Sequence, residues 1–138
     1  GAKDYLVSST LTGVIAQRLV RRLCDKCKEE YIPSEEEVKH ITANPDLQKQ
    51  LLKTKLYRKK GCKECGYLGF AGRLGIYEIM PINREIKKLI AQGAHDIEIE
   101  ESAVAAGMKT LRTSCLNHII EGRTTTSEFV RVLGYVSE

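Results

Sequence analysis

Two Cys-x-x-Cys pairs constrain this chain more than any other feature. "CDKC" supplies Cys24 and Cys27, and "CKEC" supplies Cys62 and Cys65. Two residues between ligands let the backbone fold back so that both sulfurs reach one ion. Two such knuckles offer four soft thiolates to a tetrahedral metal. The 34 residues between Cys27 and Cys62 then form a closed excursion. Closing it costs about 3 kcal/mol plus a constant, whereas structural zinc contributes on the order of 10 kcal/mol in small zinc modules. Zinc held by Cys24, Cys27, Cys62 and Cys65 is therefore expected to close the loop, with iron in a four-thiolate site as the chemical alternative. Four protein ligands leave no open position for a catalytic metal. A dithiol redox pair needs only one such motif in an α/β setting, which is not visible here. Disulfides would require export, and nothing supports export.

The start, "GAKDYLVSSTLTG", lacks the basic region and long apolar core of a signal peptide. No run approaches the roughly 20 apolar residues of a membrane span. A cytosolic setting is expected, where thiols stay reduced and paired cysteines usually bind metal. The chain begins abruptly without Met, as a fragment of a longer protein would. Aromatic residues are only 6% and Trp is absent, so Leu, Ile and Val must supply most of the burial. Four thiolates and one zinc ion would bring the formal charge from +4 to +2. Lys26, Lys28, Lys59, Lys60 and Lys63 then offset the site's own charge, or else form an ordinary solvated basic face.

Periodicity predicts an α+β fold, mostly helical. A small four-cysteine zinc module with a short β hairpin comes first, followed by a C-terminal helical bundle. "SSTLTGVIAQRLVRRLC" reads as a helix with Leu11, Val14, Ile15, Leu19, Val20 and Leu23 on one face, capped at Ser9 or Thr10. Ser34 and Glu37 have capping-box spacing for a second helix, and Asn44-Pro45 starts a third. Leu47, Leu51, Leu52 and Leu56 are the third helix's apolar contacts. Strands are expected near 56–59 and 74–80, either side of the Cys62/Cys65 turn, with Gly66, Gly69 and Gly72 as turn residues. Asn83, Asp96 and Thr110 then open glycine-terminated helices. Thr125 and Glu128 form another possible capping box. These boundaries divide the chain into a helical tail over 1–23, a metal-binding module with a helical insertion over 24–82, and a helical subdomain over 83–138.

The remaining chemical groups form no active site. Cys115 falls at helical spacing between Leu111 and Ile119 and reads as a buried small apolar residue. His40, His95 and His118 carry no motif. "GYLGFAG" lacks the Gly-Lys-Ser/Thr ending of a P-loop, and no acidic cluster resembles a magnesium site. Arg18, Arg21, Arg22 and Arg73 read first as surface residues, with anchoring a carboxylate or a partner chain as the alternative.

Three blocks carry a resemblance: "YLVSSTLTGVIAQRLVRRLCDKCKEEY", "YRKKGCKECGYLGFAGRLGIYEIMPINREIKKLI" and "AVAAGMKTLRTSCLNHIIEGRTTTSEFVRVL". Together they resemble the C-terminal end of the type II secretion and type IV pilus-assembly ATPases, over nearly the whole chain except the helical excursion. The combination of both cysteine pairs with "GRLGIYE" and "GMKTLR…EGRTT" is far more specific than any one piece. The resemblance implies structural zinc on Cys24, Cys27, Cys62 and Cys65. It also implies a hexameric cytosolic motor, peripheral at the inner membrane, docked on platform proteins and driving pilin or pseudopilin assembly. ATP and Mg2+ would bind only in the parent protein, through upstream P-loop, Walker B and Asp/His boxes that this chain does not contain. A non-catalytic part serving subunit or platform contacts is therefore expected. Leu68 replaces a common threonine, and Ser114-Cys115 replaces a common acidic-glycine pair; both are expected to affect local packing only.

The alternative is a stand-alone zinc module that binds nucleic acid through the knuckle lysines, with salt-sensitive affinity. The modest charge, the lack of an aromatic stacking platform and the acidic Glu29, Glu30 and Glu35 to Glu37 count against it, so no nucleic-acid partner is expected.

Overall fold

The computed structural model describes residues 13–81, 84–95, 97–98, 101–102 and 109–136. Strand β1 spans Gly13–Leu23, β2 Glu29–Tyr31, β3 Leu56–Arg58 and β4 Phe70–Pro81. Helix α1 spans Glu35–Ile41, α2 Pro45–Leu51, α3 Arg84–Ala91, α4 Leu111–Ile120 and α5 Thr126–Leu133. A 3-10 turn, Lys63–Cys65, carries the second knuckle. The fold class is α+β: a small β-sheet region, a four-cysteine cluster and C-terminal helices.

The helix expected over the first arginine-rich segment is instead strand β1. Two physical reasons override the helical spacing. Val14, Ile15 and Val20 are β-branched, which favours a pleated strand. The backbone also finds partners on both sides. On one side β1 pairs with β4, and the Cys24 amide just beyond it donates to the Gly69 carbonyl at 3.0 Å. On the other, the Leu23 amide donates to the Arg123 carbonyl at 2.8 Å. There too the Arg21 amide donates to Glu128 Oε1 at 2.6 Å, and Thr124 Oγ1 donates to the Arg21 carbonyl at 2.7 Å. Leu19, expected on the apolar face, is 45% exposed, while Val20 and Leu23 are buried. The expected caps Ser9 and Thr10 lie outside the described residues.

The strand pairing also differs from a hairpin closed around the second cysteine pair. Strand β3 pairs antiparallel with β2, a strand the sequence pattern does not signal. Its register sets Glu29 opposite Arg58 and Tyr31 opposite Leu56. Glu29 pairs with Arg58 and Lys60, and Glu30 with Lys55, so charge complementarity supports the register. Gly72, expected in a turn, lies within β4.

Between β2 and β3 the excursion is helical, as its caps indicate. Ser34 Oγ accepts from the Glu37 amide, and Asn44 Oδ1 accepts from the Asp46 and Leu47 amides. Pro45 takes the first helical turn of α2, where its missing donor costs nothing. Thr125 caps α5 by accepting from the Glu128 amide. Asn83 and Asp96 lie outside the described residues, as does most of the helix expected after Asp96.

The described residues fall into two compact units: 13–17 with those between 77 and 110, and 18–76 with 111–136. Within the second, α1 packs on α2 and α5, and α4 packs on α5 and β3. Its core joins Val20, Val38, Ile41, Leu51, Leu56, Ile76, Cys115, Leu116, Ile119 and Phe129. Each fully buried aliphatic or aromatic side chain there contributes about 2 kcal/mol. Leu47 and Leu52 are partly buried against this core. Within the first unit, α3 buries Ile86.

Candidate metal centre

Strand β1 delivers Cys24, and the turn after it brings Cys27 alongside. Cys62 precedes the 3-10 turn and Cys65 ends it, with Gly66 adopting a left-handed conformation (φ +64°) that turns the chain away. The four Sγ atoms all lie within 4.8 Å of one another. Cys24–Cys62, Cys27–Cys65 and Cys62–Cys65 are each 3.8 Å apart. A sulfur tetrahedron around an ion at about 2.3 Å has edges of about 3.8 Å, whereas a disulfide would bring two sulfurs to about 2.05 Å. All four thiols are free. The distances thus fit a single four-thiolate ion and not two disulfides.

Backbone amides point into the cluster. Gly61 donates to Cys27 Sγ at 3.3 Å, while Cys62 and Gly69 both donate to Cys65 Sγ at 3.3 Å. Such donors stabilise thiolate charge and orient the ligands. Hydrogen bonding from the Cys62 amide lowers the Cys65 thiol; burial opposes it, and the Gly69 amide helps bring it down to about 6. Burial pushes the Cys27 thiol the other way, up to about 11, against the Gly61 amide. Cys24, Cys27 and Cys65 are at most 9% exposed. The cluster can coordinate a metal ion, and its closed four-sulfur set suits a structural zinc site.

The histidines lie elsewhere. His118 Nε2 is 3.2 Å from the Gly75 carbonyl, and its Nδ1 is 3.4 Å from Arg123 Nη1. A guanidinium can only donate, so Nδ1 accepts and Nε2 carries the proton. His40 sits edge-on to Tyr135 at 4.7 Å, and His95 is exposed. Cys115 is fully buried in the core of the second unit, as its helical spacing indicates. Burial first, and the nearby Glu128 charge second, push its thiol up to about 12.

Several of the basic residues have specific local partners. Lys28 lies over the Tyr57 ring at 4.7 Å and 3.5 Å from Asp25, and Lys59 lies over Phe70 at 5.7 Å. Arg22 pairs with Asp25 at 3.5 Å. Arg21 stacks on Phe70 at 4.4 Å and pairs with Glu128 at 3.1 Å. Arg18 and Arg73 are exposed.

The Glu128 clamp is not legible in the sequence. Its capping-box spacing is visible there, yet its fully buried carboxylate binds Arg21 and Arg131 instead of reaching back to its own helix end. Burial pushes this carboxyl up, but hydrogen bonds from Arg131 and Arg21 outweigh that and bring it down to about 2.

Among the described residues, no helix is long and apolar enough to cross a membrane. Residues 1–131 match the family described as "Type II/IV secretion system protein". The chain is 37% identical to the type IV pilus assembly ATPase PilB of Thermus thermophilus, over 93% of this chain and 14% of that protein. It is 36% identical to PilB of Myxococcus xanthus, over 94% of this chain and 23% of that protein. Identity to type II secretion system protein E of Pseudomonas aeruginosa is also 36%, over 96% of this chain and 25% of that protein. The chain thus spans 14 to 25% of the length of these relatives. With the match running through both cysteine knuckles and the helices beyond them, the chain belongs to the type II/IV secretion system protein family.

Proposed function

We propose that this chain is a zinc-stabilised, non-catalytic C-terminal part of a secretion or pilus-assembly ATPase. The observation that carries the zinc assignment is the set of 3.8 Å sulfur separations within one cluster of four. Cys24, Cys27, Cys62 and Cys65 would hold the ion, and the ion would fasten the start of β2 and the end of β3 to the β1–β4 sheet. Family membership supports the motor context. In the parent protein, ATP and Mg2+ would bind outside this chain, and the motor would act as a hexamer on the cytoplasmic side of the inner membrane. This part would then serve contacts with neighbouring subunits or platform proteins.

Metal content and circular dichroism before and after chelation test the zinc role. One zinc per chain is expected, with part of the helical and sheet signal lost when it is removed. An unchanged spectrum and no bound metal would sink the assignment. Co-purification with the parent's nucleotide domain, and its loss on deleting this chain, tests the motor context; a parent gene without a P-loop would end it.

A further inference from the structure

We propose that Lys28 couples the metal cluster to the C-terminal helices, so that metal occupancy controls how the segment 121–128 docks on β1. This deepens the zinc reading and rests on it. Lys28 directly follows the ligand Cys27. Its Nζ donates to the Gly122 carbonyl at 2.9 Å, where α4 has just ended, and lies 4.7 Å from the Tyr57 ring centre. That ring presses against Gly122 so closely that an added Cβ would come within 2.7 Å of it. One cation therefore ties the first knuckle, strand β3 and the end of α4 together.

Immediately after Gly122, the chain runs alongside β1 and clothes it. The Arg123 carbonyl accepts from the Leu23 amide, Thr124 donates to the Arg21 carbonyl, and Glu128 takes the Arg21 amide. The contact is thus anchored at one end by the Glu128 clamp and at the other by Lys28. The clamp needs no metal. The Lys28 end does, because its position depends on a knuckle whose fold is fixed by the ion. Releasing the metal frees that knuckle, removes the cation from Gly122 and loosens 121–128 from its Lys28 end. Lys28 is a positioning residue here and is not one of the four clustered cysteines.

Two amides report the docking directly. Those of Arg21 and Leu23 have their acceptors in the docked segment, whereas the Cys24 amide has its acceptor on Gly69. Hydrogen exchange of the full chain, resolved to these amides, is followed in four states: zinc-loaded, chelated, zinc-loaded Lys28→Met and zinc-loaded Lys28→Arg. Chelation is expected to speed exchange at Leu23 about tenfold, in line with the loss of a charge-assisted contact, and to speed Arg21 less. Lys28→Met should speed Leu23 similarly while retaining one zinc per chain and leaving Cys24 slow, and Lys28→Arg should restore protection. If chelation removes zinc but Leu23 exchange stays the same, the coupling is wrong and the zinc reading stands. If Lys28→Met keeps zinc and Leu23 stays protected, Lys28 is not the connection. A protein that binds no zinc overturns both.

Discussion

Glu128 shows how one buried charge can be retained at a cost that its partners repay. Its carboxylate receives the Arg21 amide and both guanidinium groups, with Arg131 Nε at 2.7 Å and Arg131 Nη2 at 2.8 Å. Removing a partner from such a group is costly, so Glu128→Gln should lower stability by about 2 kcal/mol at pH 7, read by urea denaturation. The sign of the pH dependence comes from the lowered pKa. The folded group titrates near 2 and the unfolded one at about 4.3. Its stabilisation is therefore fully present above the unfolded value and fades as pH falls toward 2. The gap between wild type and Glu128→Gln should close over that window, and a gap independent of pH would refute the clamp. Cys115 makes a separate point. With its thiol fully buried and pushed up to about 12, a thiol reagent at pH 8 should modify it only after unfolding. Rapid labelling of Cys115 in the folded, zinc-loaded chain would contradict its place in the core.

At the level of elements, side-chain signals and tertiary signals separate cleanly. Helices α1, α2 and α5 are legible in the sequence because Ser34, Asn44 and Thr125 each satisfy a local amide, a contact written within four residues of sequence. Asn44→Ala should accordingly cost about 1 kcal/mol, measured by thermal unfolding; no change would mean the cap is redundant. The pairing of the four clustered cysteines is equally legible, since their spacing is local within each knuckle. Strand β1 is not. Its donors and acceptors are met by strand β4 and by residues 123–128, about a hundred residues away in the second case, and no pattern inside "GVIAQRLVRRL" encodes them. Strand β2 is only three residues long and depends on pairing with β3. Gly122 belongs to the same class of long-range constraint. Its φ of +79° and the nearby Tyr57 ring leave no room for a side chain. Gly122→Ala should destabilise by about 2 kcal/mol, seen in urea denaturation. A neutral effect would mean that Tyr57 readily moves aside.

The molecule as a whole derives its second unit from one core of modest size and one cluster of cysteines. A site that binds the folded state alone makes stability depend on free ion concentration. In zinc-buffered solution above the dissociation constant, each tenfold rise in free zinc should add about 1.4 kcal/mol to the unfolding free energy. A flat dependence over three decades would show that folding does not need the ion. The docking of residues 123–128 on β1 has a further result for how copies of this chain behave in solution. A two-stranded sheet has two open margins, and an unpaired margin is a template for adding strands from other chains. At Arg21 and Leu23 that template is already occupied, by a carboxylate, a hydroxyl and a carbonyl from the same chain. Intramolecular cover of this kind acts as a guard against self-association, and loss of zinc would open it on the side nearest the knuckle.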